Sequence, residues 1–387
     1  MASLAPRMPE RLPLLTVVVP TRARVATLPF TLATILDQRS RAFEVIVSDN
    51  CSQDGTREAV ERIADERVTY LDTGRRLTMT DNWEYAVGHA RGRYVLFVGD
   101  DDAILPGAID RLEPSLERGT ASILTWPLMF YRWPIDGAPA SASFRASDSA
   151  AAAGTIDVRR RARFAMRMGS WRHYAVPTIY HSAFHHSLVQ AIRDRTGRVF
   201  HTMTPDVFAG FAGAALAGEA RSVGFAVTVS GASARSNSGR MMEARATSAD
   251  DAWEEHLSEY RHHPVHASLY PDVPVRVNTI PTALLVARDL FPDEYAADAF
   301  GYSEMWAYLL RTRHVCAWNG SASWIVGARR HIRRHHPFSV SRFAAACALQ
   351  TAVARTSRLR RRRDTVTFAG AMPSDIAGFV TRLGSAA

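Results

Sequence analysis

The chain has 387 residues, 47% hydrophobic and 22% charged, and a formal net charge of +9. That length exceeds one ordinary compact domain, and the composition excludes a disordered or collagen-like chain. All 47 basic residues counted with lysine are arginine, so Schiff-base chemistry and the lysine of a phosphate-binding P-loop are ruled out.

Cys51, Cys316 and Cys347 stand far apart with no C-x-x-C pair, which suits neither a disulfide framework nor a thiolate zinc site. A reducing, cytoplasmic setting is expected, either free or peripheral at the inner face of a membrane. The first eleven residues lack an apolar h-region. No stretch reaches the ~18–20 uninterrupted apolar residues of a membrane span. From Arg311 to Arg363 there are thirteen arginines, four histidines and no carboxylate, so the remainder of the chain is net acidic.

In chain order, Leu14–Val19 is a continuous β-branched run stopped by Pro20, as expected of a strand buried on both faces. Thr27–Gln38 carries Leu28, Leu32, Ile35 and Leu36 at helical spacing. Phe43–Val47 predicts a second strand, Thr56–Ala64 a helix, Val68–Leu71 a third strand, Asp81–Ala90 a helix and Tyr94–Val98 a fourth strand. Strands alternating with helices predict right-handed crossovers and an open, mostly parallel sheet covered by helices on both faces. In such sheets ligands bind beyond the carboxyl ends of the strands. Those ends carry Pro20-Thr21-Arg22, Asp49-Asn50 and Asp100-Asp101-Asp102.

Further on, Pro106–Leu116 predicts a helix and Ala121–Leu128 a strand, followed by a surface loop over Pro134–Thr155, rich in Ala, Ser, Gly and Pro. Val158–Met168 reads as a basic helix and Phe184–Thr196 as another. Thr204 is the expected N-cap, and Pro205 the first residue, of an apolar helix reaching Ala217. A strand over Gly224–Val229 and a Gly/Ser loop from Ser230 to Gly239 follow. Residues 1–240 are expected to form the α/β domain and 241–387 a mainly helical, arginine-rich region.

Three adjacent carboxylates at a strand end repel one another unless a cation or hydrogen-bond donors relieve them. A hard divalent ion that also grips substrate phosphates would do so, whereas the plainer alternative is a helix cap with two solvated neighbours. The segments P-T-R-A-R, S-D-N-C-S-Q-D-G-T, N-W-E-Y-A, A-R-G-R-Y-V-L-F-V-G-D-D-D-A-I-L-P and T-P-D occur in that order from residue 20 to residue 206. In this the chain resembles the family 2 glycosyltransferases of the GT-A fold, over about Leu14–Gly239.

The resemblance implies a metal-dependent, inverting enzyme taking a nucleoside-diphosphate sugar, with Mg²⁺ or Mn²⁺ as cofactor. Pro20, Thr21 and Arg22 would approach the nucleotide, as would Asn82. Asp49 would accept from the imide N–H of uracil or thymine, which implies a UDP or dTDP donor. Counting back from Pro106, Gly99 takes the place of the first aspartate of D-x-D-D, with Asp100 on ribose or metal and Asp101 and Asp102 on the metal. Asp206 would be the general base. Apart from the resemblance, Arg235, Ser236 and Asn237, in a Gly/Ser loop after a strand, either cover the diphosphate or form a surface loop.

The acceptor is expected to be a carbohydrate, a lipid-linked sugar or a small metabolite. Trp171, Tyr174 and Ile179-Tyr180-His181 either shape its pocket or fill the core. His262, His263 and His266 are expected to be solvated. The apolar Ala344–Ala354 stretch between arginine clusters suits a membrane interface, packing on the catalytic domain, or homo-oligomer contact; nucleic acid ranks below these. Two other readings are a catalytically silent scaffold and a sugar-phosphate nucleotidyltransferase, though the latter usually carries a lysine-containing Gly-rich signature near its first strand.

Overall fold

The computed structural model describes residues 12–135, 137–145, 152–236, 258–260, 265–270, 275–296, 300–312, 326–327, 330–331, 333–334, 336, 338–367 and 372–385. The strands are β1 (Leu15–Thr21), β2 (Phe43–Asp49), β3 (Val68–Asp72), β4 (Tyr94–Phe97), β5 (Ala103–Ile104), β6 (Ile123–Thr125), β7 (Met129–Arg132), β8 (Ser141–Arg145), β9 (Gly154–Asp157), β10 (Ala183–His185), β11 (Glu219–Ser222), β12 (Thr228–Ala232) and β13 (Thr365–Thr367). The helices are α1 (Leu28–Leu36), α2 (Thr56–Glu61), α3 (Met79–Val87), α4 (Ala108–Arg118), α5 (Val158–Arg167), α6 (His186–Thr196), α7 (Pro205–Ala217), α8 (Val275–Leu290), α9 (Tyr302–Thr312), α10 (Val340–Asp364) and α11 (Ile376–Ser385).

Eight strands form the main sheet in the order β3-β2-β1-β4-β10-β6-β11-β9. Its first half is parallel, with Val18 of β1 level with both Ile46 of β2 and Phe97 of β4. β10 enters antiparallel between β4 and β6, and β9 closes the far edge antiparallel to β11. This is the open, helix-covered sheet that the GT-A resemblance implies. Side-chain alternation explains why β1, β2 and β4 read as continuous apolar runs: Leu15, Val17 and Val19 enter one core with α1 and α4, while Val18 enters the other with α3, α5, α6 and α7. Both faces are dry, so neither position along these strands tolerates a polar residue without a partner.

A second sheet, β13-β8-β7-β12-β5, stands beside the first. The surface loop expected over Pro134–Thr155 is therefore corrected in part, since it contains β8 and the start of β9. β8 pairs with β7 through small residues, Ala142 lying opposite Tyr131, and apolar periodicity is too weak there to announce a strand. β10 overlaps the start of the helix expected from Phe184, and β11 lies between the helix expected to reach Ala217 and the strand expected from Gly224. The last predicted strand begins later than expected, at Thr228, and runs to Ala232.

The C-terminal elements fold back onto the sheets. α8 packs on α7, and Tyr295 donates from its hydroxyl to Phe211 O at 2.6 Å. α9 abuts the end of α5, where Gly301 N donates to Met166 O at 2.9 Å. α10 lies on α9, with Gln350 Nε2 donating to Glu304 O at 3.3 Å and Arg342 Nε to Glu304 Oε1 at 2.8 Å. α11 closes the second sheet, where Phe379 stacks on Tyr131 with ring centroids 5.2 Å apart. Ala346 and Gln350, inside the expected Ala344–Ala354 stretch, are thus spent on intramolecular packing. Among the described residues no helix is long and apolar enough to cross a membrane. The expected boundary at residue 240, together with His262, His263 and Cys316, lies outside the described residues.

Candidate active site

The chain leaves the main sheet at the end of β4 and enters the second sheet at β5. It turns between them through Gly99-Asp100-Asp101-Asp102, closed by Asp102 N donating to Gly99 O at 3.2 Å. All three aspartates are buried, yet they play different parts.

Asp100 faces back to β1. Thr21 Oγ1 donates to its Oδ2 at 2.7 Å and Arg24 Nη1 to its Oδ1 at 2.9 Å. Burial pushes its pKa up to about 6; Arg24 opposes the rise and Asp101 adds to it. Arg24 itself loses hydration, but Asp100 and Asp101 hold it above its usual value, so the guanidinium is the cation of this corner.

Asp102 is held by three donors. Gly231 N donates to its Oδ1 at 2.6 Å, while Gly99 N and the Tyr180 hydroxyl donate to its Oδ2. His181 Nε2 stands 3.3 Å from the same oxygen, and its Nδ1 lies 3.0 Å from Thr228 Oγ1. Burial drives His181 down to about 3, so the imidazole is neutral. Burial and then the Asp101 charge push Asp102 up to about 8, against the donors from Tyr180, Gly231 and Gly99. Asp102, expected on the metal, thus spends Oδ1 on β12 and Oδ2 on its own turn and Tyr180.

Asp101 differs from both neighbours. Ser233 N donates to its Oδ2 at 2.9 Å and Trp133 Nε1 donates to its backbone oxygen at 2.9 Å. Its Oδ1 accepts no hydrogen bond among the described residues. Asp100 and Asp101 with a single guanidinium leave a local excess of negative charge, and the open oxygen is where a cation would be taken. Among the described residues no three His, Cys, Asp or Glu side chains converge on one point. The donor set therefore fits an ion that takes one protein oxygen and fills its other positions from diphosphate and water, the habit of Mg²⁺ or Mn²⁺.

Gly99 has a steric reason. A Cβ there would lie 2.7 Å from Tyr180 Oη, 3.0 Å from Asp102 Oδ2 and 3.2 Å from Asp101 Oδ1. The Tyr180 hydroxyl fills the space into which the missing first aspartate would project. Gly231 is equally constrained, since its Cβ would meet Asp101 O at 1.7 Å.

On the nucleotide side, Asp49 ends β2. Ser52 N and Oγ donate to its Oδ1 and Tyr70 Oη donates to its Oδ2 at 2.6 Å, which fixes the carboxylate. Pro20 and Thr21 end β1 beside it. Arg22 and Arg76 both meet Glu259 Oε1 at 2.6 Å. Asn82 is placed lower: it exchanges hydrogen bonds with Ser48 on β2 and is buried under the loops. Arg235 clasps the first loop, donating from Nη1 to Ala23 O at 3.0 Å while its own carbonyl accepts from Arg24 Nη2 at 2.6 Å. Ser236 Oγ donates to Ser233 O and closes that turn. Asn237 lies outside the described residues.

Asp206 lies in the first turn of α7, partly exposed, and no side chain among the described residues hydrogen-bonds to its carboxylate. Thr204 occupies the N-cap position but its hydroxyl reaches Thr279 O at 3.4 Å, so the expected side-chain cap is absent. Burial pushes Asp206 up to about 6, against the backbone N–H groups of Val207 and of Asp206 itself. Two close approaches orient the helix: Gly210 packs on Pro177 and Thr178, and Gly213 on Phe184. Phe184 is level with Val95 of β4, and Tyr180 bridges Phe97 farther along that strand. The amino end of α7, and Asp206 with it, therefore points toward the same sheet edge as the aspartate turn.

Of the aromatics, Trp171 is buried, Tyr174 is 66% exposed, and Tyr180 and His181 belong to the aspartate turn. Sequence reading missed Arg24, Gly231, Ser233 and Trp133. The first was legible as the second arginine of P-T-R-A-R; the others act through backbone or ring atoms that residue type does not advertise.

Residues 16–181 match the model of Glycosyl transferase family 2. A GalNAc(5)-diNAcBac-PP-undecaprenol beta-1,3-glucosyltransferase of Campylobacter jejuni is 32% identical over 115 residues, covering 29% of this chain and 37% of that protein. A putative teichuronic acid biosynthesis glycosyltransferase of Bacillus subtilis, TuaG, is 33% identical over 118 residues, covering 29% of this chain and 46% of its own length. The match thus spans less than half of either relative. Among solved structures, S. aureus TarS 1-349 in complex with UDP-GlcNAc aligns over 84% of this chain and 93% of that one, at 14% identity and a TM-score of 0.49.

Proposed function

We propose that this chain, whose residues 16–181 match the family 2 glycosyl transferase model, is a metal-dependent inverting glycosyltransferase. In this reading it moves a sugar from a UDP or dTDP donor to an acceptor hydroxyl. The observation that carries the proposal is the pairing, at one sheet edge, of an aspartate with an open oxygen and a second carboxylate poised near neutrality.

Each residue has a part that follows from its surroundings. Asp49, fixed by three donors, offers an acceptor to an imide N–H. The first loop and the Arg235 turn, clasped together, flank the diphosphate, where guanidinium and backbone N–H groups suit phosphate oxygens. Asp101 Oδ1 would hold Mg²⁺ or Mn²⁺, and Asp100 would keep Thr21 and Arg24 in place beside it. When bound, the ion supplies charge neutralisation on the departing diphosphate. Asp102 positions Asp101 by locking the turn to β12.

Asp206 accepts the acceptor's proton. Its raised pKa makes it a stronger base than an ordinary aspartate while leaving it ionised at neutral pH, the compromise general-base catalysis favours. The amino end of α7 alone would depress that pKa; loss of hydration outweighs it. The acceptor class we favour is a lipid-linked or surface-polymer saccharide, the kind of substrate named for the Campylobacter and Bacillus relatives.

Hydrolysis of a panel of nucleotide sugars, with Mn²⁺ or Mg²⁺ and then after chelation, tests the proposal. UDP- or dTDP-sugar turnover that needs the ion supports it. Turnover that survives thorough chelation overturns the metal assignment.

A further inference from the structure

α5 carries Arg159, Arg160, Arg161, Arg163 and Arg167 in ten residues, and its apolar side, Val158, Ala162, Ala165 and Met166, is buried against the core. The outward stripe is Arg160, Arg163, Phe164 and Arg167, at the i, i+3, i+4, i+7 spacing of one helix face. These residues, with Arg159 and the N-capping Asp157, line an open depression of about 500 Å³.

Elsewhere the protein pairs its arginines with carboxylates, as in Arg24–Asp100, Arg67–Asp65, Arg91–Glu44, Arg198–Asp81 and Arg342–Glu304. Among the described residues, Arg159, Arg160, Arg163 and Arg167 make no such pair. Arg159 and Arg163 donate only to backbone carbonyls, of Ala215 and Glu294. Asp157 accepts from Arg160 N at the helix start. Beyond the helix, Arg172 lies over the rings of Trp171 and the exposed Tyr174.

From this unneutralised charge and the aromatic rings set into it, we infer that the α5 face docks on an anionic phospholipid bilayer. Charge complementarity draws the arginines to acidic head groups. The rings decide between a bilayer and a soluble polyanion. Phe164 is 45% exposed between Arg160 and Arg167, and Tyr174 is exposed beside Arg172. A polyanion in water would contact the guanidinium groups and leave the Phe164 ring wet. A bilayer interface takes both, the ring among the upper acyl carbons and the guanidinium groups at phosphate level. The inference rests on the surface alone and does not require the transferase reading.

The test is flotation of the full chain with phosphatidylglycerol-containing and pure phosphatidylcholine vesicles, at low and high salt. The wild type is expected to float with the anionic vesicles at low salt only. R160E/R163E/R167E should cut that partitioning by at least about tenfold with an unchanged melting curve. Should that variant misfold, the neutral R160Q/R163Q/R167Q and the separate F164S/Y174S provide the same reading, each with weakened binding. Failure of the wild type to float, equal flotation of correctly folded variants, or retention on duplex DNA or RNA in preference to vesicles would overturn the inference.

Discussion

Replacing Gly99 by alanine asks whether Tyr180 and the aspartate turn form one unit. Gly99 does not lie in the left-handed region of backbone space, so alanine brings no conformational penalty of that kind. The cost must come from contact, with the new Cβ 2.7 Å from Tyr180 Oη and 3.0 Å from Asp102 Oδ2. The tyrosine cannot easily swing away, because its ring stacks on Trp83 with centroids 5.9 Å apart and meets His181 edge-on at 4.2 Å. The hydroxyl must therefore give up Asp102, and leaving a buried polar group without its partner costs about 1–3 kcal/mol. Y180F removes the same bond and also the obstructing oxygen. G99A in the Y180F background should then cost little, so the two changes together should fall short of additivity by about 1–2 kcal/mol. Urea unfolding of the wild type, both single variants and the double variant measures this directly. Additivity to within about 0.5 kcal/mol would refute the coupling, and with it the account of why glycine stands at this position.

D101A should abolish turnover and the metal dependence of donor binding by calorimetry while leaving the unfolding curve cooperative; metal-dependent UDP binding at wild-type strength would remove Asp101 from the ion. D206N should preserve donor affinity and lower transfer by ~10²-fold or more. Because Asp206 must be ionised to accept a proton, the wild-type rate should rise with pH through about 6 and level off above it. A group whose folded pKa is raised above its unfolded value loses stability as pH climbs through that interval, so D206N should be no less stable than wild type above pH 6, and a clear loss there would contradict the burial argument. UDP or dTDP should bind more tightly than GDP, since Asp49 offers one acceptor to an imide N–H; the reverse order would displace Asp49 from base recognition.

How legible the fold was depended on who each strand's neighbours are. β1, β2 and β4 are buried on both faces, so their sequences are unbroken apolar runs and announce themselves locally. β8, β9 and β11 take their conformation from partners: Ala142 is buried opposite Tyr131, and Arg221 of β11 pairs with Leu124 of β6. Nothing within Ser141–Arg145 distinguishes it from the Ala/Ser-rich loop around it. The site divides along the same line. That D-D-D at a strand end would carry chemistry was readable, because carboxylates crowded there demand compensation. The division of labour was not, because Asp101 and Asp102 are told apart by Ser233 N and Gly231 N, which come from a strand more than a hundred residues away. Backbone donors have no residue-type signature.

Asp206 shows the same limit acting on a pKa. From sequence, a carboxylate in the first turn of a helix is an acid made stronger by the helix dipole, hence a poor base. Loss of hydration from tertiary packing is invisible at that level, yet it reverses the sign, lifting the group to about 6. The helix supplies the position, aimed by Gly210 and Gly213 along β10, and tertiary packing supplies the basicity. A change that rehydrated the end of α7 without touching Asp206 should therefore shift the acidic limb of the rate profile downward and slow transfer at neutral pH together, whereas a purely structural carboxylate would leave the profile where it was.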